Sequence, residues 1–269
     1  MRPVVEIMFV DFLAVALHAL SNEAALVETL SGGRWRAPLL VRAACGGGYG
    51  DAGQHEQSLW GLLSSIPGLA VVVPSTPRDA AGLTLTALES HEGPVVLLEH
   101  KLLSSLWRDA VAGSPAARAR LDLPEADPLE PGLEPVPFGS ATIRRDGTDV
   151  LVVSVGLGVH HSIAAAESLA DQGISVRVMD LRTTAPLDRD AVRASASECG
   201  SVLVVDEDFG PFGLSAEVLA TIAEAGIPSP CARLAATGAI PYARRLEAQV
   251  LPTPETIALS VQRLLGRPD

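Results

Sequence analysis

Residues 149–181 read DVLVVSVGLGVHHSIAAAESLADQGISVRVMDL, and this stretch decides the fold class. Two runs rich in apolar and β-branched residues, VLVVSV and ISVRVMDL, flank an alanine-rich segment, residues 160–171, that has helical spacing. Strand, helix and strand in that order predict two parallel strands joined by a right-handed crossover. The sequence is therefore predicted to fold as an α/β protein with mainly parallel sheets.

The same alternation continues outward in both directions from this unit. Further strands are predicted at residues 4–10, 38–43, 69–73, 94–98, 201–208 and 231–235. Further helices are predicted at residues 12–30, 56–65, 77–90, 189–197, 214–224 and 254–265. Between the two series, residues 121–139 (LDLPEADPLEPGLEPVPFG) are dense in proline and glutamate and show no clean period, which is typical of a linker. We therefore expect one domain over 1–104, a linker over 105–137 and a second domain over 138–269.

Composition excludes several classes of protein. Hydrophobic residues make up 48% of the 269 residues and charged residues 19%, which is enough apolar material for a core. The net charge of −12 argues against nucleic acid as a partner, because phosphate binding needs clustered lysine and arginine. The three cysteines are scattered and no histidine lies at metal-ligand spacing from them, so we expect no metal site and a reducing, cytoplasmic location. No leader peptide or membrane span is expected.

A glycine-rich loop is the first candidate for chemistry. GGGYG at 46–50 lacks the GK[ST] of a phosphate loop, but the loop continues into Gln54-His55-Glu56-Gln57. A histidine between a flexible loop and a predicted helix is exposed enough to move protons or to stabilise an anion near neutral pH. The alternative interpretation is a polar cluster at the start of a helix.

The segment GLGVHH at 156–161 is the second candidate. It follows a strand and opens a helix, and Asp180 ends the next strand, as in a dinucleotide-binding fingerprint. His161, however, stands where the third glycine is needed, so a plain strand-to-helix turn is preferred. His160 and His161 diverge by about 100° on a helix and are poorly placed to chelate a metal together.

Eight segments, in order along the chain, resemble the β subunits of pyruvate, branched-chain and acetoin dehydrogenase decarboxylase components. They are RPVVEIMFVDF, SGGRWRAPLLVR, AGQHEQS, IPGLAVVVPSTPRDAAGL with PVVLLEHKLL, VMDLRTTAPLD, VDEDFGPFGLSAEV and IPYARRLEAQVLP. The resemblance implies a transketolase-like fold, with a pyrimidine-binding domain followed by a transketolase C-terminal domain. It also implies thiamine diphosphate as cofactor and a small 2-oxoacid or ketose as substrate.

The resemblance also implies roles for three residues. In the family the thiamine ring lies between an α and a β subunit, and Met8 and Phe12 match the β-side contacts to the aminopyrimidine. His55 matches the histidine of a QHSQ motif that faces the substrate side of the thiazolium. Here that motif reads QHEQ, so Glu56 adds a negative charge that is not usual at this position.

Two parts of the family's machinery are expected from elsewhere. The GDG and NN motifs that hold Mg²⁺ and the diphosphate belong to the α subunit in this family. The glutamate that activates the cofactor stands about fifteen residues before the segment matched by Arg2 and Pro3, so the first domain is expected to be a truncated pyrimidine-binding domain. We expect an α-like partner and self-association through the C-terminal domain, as in α2β2 relatives.

The sequence is therefore compatible with three functions. The first is a β-like subunit of a thiamine-diphosphate-dependent 2-oxoacid dehydrogenase or transketolase-type enzyme, active only with a partner. The second is a non-catalytic paralogue that acts as a scaffold or assembly subunit, because the QHSQ region is altered. The third is a nicotinamide-dependent oxidoreductase, which rests on GLGVHH and Asp180.

Overall fold

Two five-stranded sheets form the framework in the computed structural model, which describes residues 1–104 and 132–267. The first sheet has the order β1-β2-β4-β3-β8, with strands β1 (Val4–Phe9), β2 (Leu40–Cys45), β3 (Ala70–Val72), β4 (Val95–His100) and β8 (Thr183–Ala185). The second has the order β10-β9-β6-β7-β5, with strands β5 (Thr142–Arg145), β6 (Val150–Ser154), β7 (Val176–Asp180), β9 (Ser201–Phe209) and β10 (Cys231–Ala236). Every pair is parallel except β3 with β8 and β5 with β7, so the predicted fold class is confirmed.

Helices connect most of these strands. The α-helices are α1 (Val27–Leu30), α2 (Trp60–Ser64), α3 (Pro77–Glu89), α4 (Leu157–Ala170), α5 (Arg189–Glu198), α6 (Leu214–Glu224), α7 (Arg244–Glu247) and α8 (Pro254–Leu264). Short 3₁₀ segments lie at Val10–Ala16 and Lys101–Leu103. Among the described residues, no helix is long and apolar enough to cross a membrane.

The sequence specifies where the longer helices begin. Before α3, the Thr76 side chain accepts a hydrogen bond from the backbone N–H of Asp79, and Pro77 occupies the first helical turn. Before α8, Thr253 and Thr256 cap each other reciprocally, and a proline again follows the cap. Each cap satisfies backbone donors that a helix leaves unpaired at its first turn.

The helix expected over residues 12–30 is interrupted. The chain forms the 3₁₀ segment Val10–Ala16, a π-helical segment Ala19–Ala24 and the single turn α1. The Ser21 hydroxyl donates to the carbonyl of Leu17, a bond that competes with regular helical pairing. Apolar spacing alone therefore identified helical backbone here without identifying its irregular pitch.

Strands β5 and β8 were not predicted from the sequence. Both are short and antiparallel to their neighbours, and neither carries a long apolar run. Strand β8 pairs with β3 of the first sheet, with Val71 opposite Ala185 and Val72 opposite Thr183. The second half of the chain thus completes the sheet of the first half. Of the predicted linker, residues 105–131 lie outside the described residues, and residues 132–137 form neither helix nor strand.

One hydrophobic core spans both halves. Trp60 and Val71 from the first half pack in the same buried cluster as Met179, Leu181 and Val204 from the second. Burial of apolar surface contributes about 25 cal/mol per Å² to stability. This shared cluster therefore stabilises the packing of the first half of the chain on the second.

A buried ionic network also crosses between the halves. Arg144 on β5 donates to Asp180 at the end of β7, with nitrogen–oxygen distances of 2.8 and 3.1 Å, and contacts Asp79 on α3. The Ser75 hydroxyl donates to the same Asp180 carboxylate, and Arg182 lies 3.3 Å from Asp79. Burial raises the pKa of Asp180, and Arg144 acts in the opposite direction. The network places α3 against β5 and β7.

Candidate active site

The candidate site lies at one edge of the first sheet, where three neighbouring parallel strands end. Phe9 ends β1, the glycine-rich loop follows β2, and Lys101 follows β4. The carboxyl ends of parallel strands form the usual ligand-binding edge of an open α/β sheet. The local topology therefore gathers residues from three distant parts of the sequence.

The segment that carries His55 is strained at both ends. Ala52 has a φ of 63° and Leu59 a φ of 47°, which is the left-handed region that side chains with a Cβ rarely adopt. The sequence predicted that helix α2 begins at residue 56. The left-handed conformation of Leu59 explains why α2 begins at Trp60 instead. Backbone strain of this kind costs of order 1–3 kcal/mol per residue and is concentrated at functional sites.

His55 lies among aromatic rings. Its ring centroid is 5.0 Å from that of Phe9 and 5.6 Å from that of Phe12, both with edge-on geometry, and the two phenyl rings are 6.0 Å apart. The His55 side chain is 25% exposed, and its Nδ1 lies 3.7 Å from Asp51 Oδ2. The structure thus brings together His55 and Phe12, two of the three residues predicted from the sequence.

Met8, the third predicted residue, precedes Phe9 on β1, and 66% of its surface is exposed. Phe12 is 46% exposed on the 3₁₀ segment that follows the strand. Both are exposed apolar side chains, the kind of surface that a flat, partly apolar ligand contacts.

The backbone of His55 is held more tightly than its side chain. The His55 carbonyl accepts hydrogen bonds from Lys101 Nζ at 2.6 Å and from the Tyr49 hydroxyl at 2.9 Å. Lys101 is 1% exposed, and its ammonium lies 5.0 Å from the ring centroid of Tyr49 and 5.2 Å from that of Phe9. Burial lowers the pKa of Lys101. This arrangement fixes the position of His55 and leaves its imidazole open to a ligand.

Gln57 is fixed by Asp11. The Gln57 backbone N–H and side-chain amide both donate to Asp11 Oδ1, at 3.3 and 2.9 Å. Asp11 lies between Phe9 and Phe12 in sequence. This contact therefore ties the histidine segment (residues 52–59) to the aromatic segment (residues 9–12). Sequence reasoning missed Asp11, Tyr49 and Lys101 as site residues, although their place after three parallel strands was an available signal.

Unpaired polar atoms concentrate at the same place. Buried polar atoms in native proteins nearly always have a partner, so each exception needs an explanation. Across residues 1–104 and 132–267, six buried side-chain polar atoms lack a hydrogen-bond partner, and four of them are Asp11 Oδ2, His55 Nδ1, Glu56 Oε2 and Ser58 Oγ. Glu56 faces another carboxyl group, that of Glu247. The other three lie in the segments that carry Phe12 and His55.

A cavity of about 260 Å³ adjoins the histidine segment on the side of the second sheet. Gln57, Ser58, Glu207 and Asp208 line part of it. Glu207 is buried and lies 2.8 Å from Nε2 of the equally buried His100. Burial alone would raise the pKa of Glu207, but the neighbouring His100 holds that pKa below its ordinary value.

The alternative dinucleotide site is not assembled. Asp180, which would bind a ribose, is fully buried and engaged by Arg144 and Ser75. His160 and His161 contact the backbone carbonyls of Ser75 and Pro252 in different directions. Among the described residues, no three side chains of histidine, cysteine, aspartate or glutamate are grouped to hold a metal ion.

Comparison with known families divides the chain into two matches. The family described as "Transketolase, pyrimidine binding domain" matches residues 1–105. The family described as "Transketolase, C-terminal domain" matches residues 139–257. The first match contains the aromatic and histidine segments, and the second contains the β9 end of the cavity.

Individual relatives are similar over nearly the whole chain. The chain is 35% identical to the acetoin:2,6-dichlorophenolindophenol oxidoreductase subunit beta of Cupriavidus necator, covering 98% of this chain and 74% of that protein. It is 36% identical to the 2-oxoisovalerate dehydrogenase subunit beta of Bacillus subtilis and 35% identical to the pyruvate dehydrogenase E1 component subunit beta of the same organism. Both matches cover 98% of this chain and 76% of the relative.

A solved structure has the same fold. A chain described as "Split gene transketolase, inactive beta4 tetramer" superposes with a TM-score of 0.75 and 22% sequence identity, covering 98% of this chain and 76% of that one. At that identity the likeness concerns the fold.

Proposed function

The chain belongs to the family of β subunits of thiamine-diphosphate-dependent 2-oxoacid dehydrogenases, and from that premise we propose that it is the β-like half of such an enzyme or of a transketolase-type enzyme. The reaction would be decarboxylation of a 2-oxoacid, or transfer of an acyl or ketol unit. The observation that carries the proposal is the grouping of His55 with Phe9 and Phe12 at the ends of parallel strands, beside unpaired buried polar atoms.

The residues present fit the thiamine part of the cofactor. Phe12 and Met8 offer exposed apolar surface to an aminopyrimidine, and the unpaired Asp11 Oδ2 and Ser58 Oγ offer polar contacts nearby. Bound thiamine diphosphate would supply the electron sink for carbon–carbon cleavage. In this arrangement His55 holds or moves a proton on the substrate side, because its carbonyl is fixed and its ring Nδ1 has no hydrogen-bond partner.

The diphosphate and Mg²⁺ are proposed to be held by an α-like partner. The activating glutamate would come from another polypeptide or from sequence preceding Met1. Support for a partner comes from β1 and the 3₁₀ segment after it, where large apolar side chains are 45–90% exposed: Val4, Val5, Met8, Phe12 and Val15. Such a concentration of exposed apolar side chains favours an interaction surface in this part of the chain. Self-association through the second domain is proposed as well, in keeping with the tetramer of the structural neighbour.

The test is reconstitution with an α-like chain that carries the diphosphate-binding motif. Calorimetry would measure binding of thiamine diphosphate with Mg²⁺, and oxoacid-dependent dye reduction would measure turnover. We expect neither activity nor tight binding from the isolated chain, and both from the complex. Tight binding and turnover by the isolated chain would contradict the proposal, whereas a stable complex without cofactor binding would favour the scaffold function.

Two substitutions assign the roles within the complex. His55→Ala should lower turnover by about 10²–10⁴-fold, the usual contribution of a positioned proton-transfer group, with a smaller effect on cofactor affinity. Phe12→Ala should mainly weaken cofactor binding, because it removes apolar contact surface. His18→Ala is the matched control, since His18 is exposed and pairs with Glu23 on the surface. Full activity of His55→Ala would overturn the role given to this histidine.

A further inference from the structure

Glu56 is the residue that distinguishes this histidine segment, and it is completely buried. Its exposed fraction is 0%, and that of Glu247 on α7 is 3%. The two carboxyl groups come from opposite halves of the chain and accept from the backbone N–H groups of two consecutive loop residues, Asp51 and Gly50, which places them beside each other. Glu56 Oε2 is buried and has no hydrogen-bond partner.

Both carboxyl groups hold the glycine-rich loop. Glu56 Oε1 accepts from the backbone N–H of Asp51 at 2.7 Å. Glu247 Oε1 accepts from the N–H groups of Gly48 and Gly50, at 2.8 and 3.2 Å. These backbone donors are therefore satisfied by two carboxyl groups that face each other.

Two buried carboxylates cannot both be charged at this separation without a large penalty, because like charges in a poorly solvated site repel strongly. A single proton removes the penalty and lets Glu56 Oε2, which has no hydrogen-bond partner, donate to the Glu247 carboxylate. Burial, and then the hydrogen bond with Glu247, raise the pKa of Glu56 to about 8. At neutral pH Glu56 is therefore protonated and donates to Glu247.

We propose that Glu56 and Glu247 share one proton and so form a clamp that positions the glycine-rich loop and, through it, His55. The loop is otherwise fixed to α7 by Arg244, which donates to the Gly48 carbonyl at 2.7 Å. Loss of the shared proton leaves two facing negative charges and releases the loop at its middle. The loop then opens while the sheet beneath it stays folded.

The other charged and titratable groups around Glu56 do not replace this proton. The positive groups are Arg244, which reaches Glu247 at 3.8 Å, and Lys101, which lowers the pKa of Glu56 but is committed to the His55 carbonyl. Tyr49 keeps its proton, since burial raises its pKa, and Asp51 contributes its backbone N–H. The pH response is accordingly assigned to the carboxyl pair.

Hydrogen exchange on the full chain tests the clamp. Mass spectrometry of the peptide covering residues 46–55 would follow the loop amides between pH 6.5 and 9.5, corrected for the intrinsic rise of exchange with pH. The protection of the loop amides against exchange should be constant well below pH 8. Above that pH it should fall by about tenfold per pH unit, since each unit changes the ratio of deprotonated to protonated carboxyl pair tenfold. A wild-type loop whose protection does not change with pH would overturn the proposal.

Two variants separate the proton from the shape of the side chain. Glu56→Gln keeps a donor toward Glu247 and an acceptor for the Asp51 N–H but does not titrate, so its protection should stay constant to pH 9.5. Glu56→Ser is too short to reach Glu247 and should leave the loop less protected at every pH. Glu89→Gln, on an exposed position of α3, should behave as the wild type. The same alkaline loss in Glu56→Gln would refute a shared proton.

The consequence for turnover rests on the proposed function and has a separate readout. In the reconstituted complex, the alkaline limb of the kcat profile should move upward in pH in Glu56→Gln, with KM little changed. If the complex is inactive, the exchange experiment still decides whether the clamp exists. If the exchange result holds and the kcat profile does not change, the clamp orders the loop without positioning His55.

Discussion

Replacing Arg144 by methionine tests the ionic network that joins the two halves. The guanidinium donates to Asp180 at 2.8 and 3.1 Å and also contacts Asp79. Both carboxylates are almost fully buried, at 0% and 4% side-chain exposure. After the substitution Asp180 keeps the Ser75 hydroxyl and the backbone N–H of Arg182, but it loses its cation.

The expected cost follows from this geometry. Removing one partner of a buried ion pair costs about 3–5 kcal/mol, because the remaining charge stays buried without compensation. Arg144 is 24% exposed, so water offsets part of the loss, and we expect about 3 kcal/mol at pH 7. For a chain of this size, the melting midpoint should fall by about 6–12 °C, at roughly 2–4 °C per kcal/mol.

Urea and thermal denaturation at pH 5, pH 7 and pH 8 measure this effect. Burial already raises the pKa of Asp180, and loss of Arg144 should raise that pKa further. The variant therefore takes up a proton as the pH falls, and the stability gap should be smaller at pH 5 than at pH 8. Arg193→Met is the control, because its surface pair with Asp190 contributes no more than about 1 kcal/mol. A gap below about 1 kcal/mol at pH 7, against the expected value of about 3 kcal/mol, would refute the reasoning.

Two further predictions concern the framework of the site. Gly46→Ala should destabilise the chain by about 2–5 kcal/mol, since the residue has a φ of 84° and a new Cβ would lie 2.0 Å from His100. Gly226→Ala is the control and should cost about 1–2 kcal/mol, because this residue has a φ of 66° but free space around it. Equal costs of the two substitutions in urea unfolding would contradict the packing argument. Trp60→Phe should cost about 1–3 kcal/mol because it removes the indole N–H that donates to buried Asp206. Burial raises the pKa of Asp206 to about 7, and losing a donor to the charged form raises it further, so the cost should be larger at pH 8.5 than at pH 5; the opposite trend would count against it.

The sequence was sufficient to predict the strands and helices that are determined by residues close to one another along the chain. The apolar runs of β6 and β7 and the threonine-proline starts of α3 and α8 depend on neighbours within a few residues. Strand β8 depends on pairing with β3 far away in the chain, so no local period reveals it. The helix predicted at residues 56–65 begins late for a similar reason, since the Glu56 side chain bonds to Asp51 and Leu59 adopts a left-handed conformation.

The candidate site was partly predictable. The resemblance pointed to His55 and Phe12, and the structure places their rings 5.6 Å apart. Lys101 was not selected, because a lysine after a strand is usually solvated, and its burial under the glycine-rich loop depends on packing between distant segments. The sequence predicted an added negative charge at Glu56, but burial beside Glu247 from the other half of the chain raises the pKa of Glu56 to about 8.

Strand β8 also sets the order of events during synthesis. Its partner, β3, leaves the ribosome about 110 residues earlier, so the first sheet waits for its last strand. At roughly 5–20 residues per second, that delay is about 5–20 s. Throughout it, one edge of β3 is open to other nascent chains or to chaperones. If the gene were split between the two halves, the chain that carries β3 would have no β8 of its own, and this edge of β3 would stay unpaired until the other chain bound.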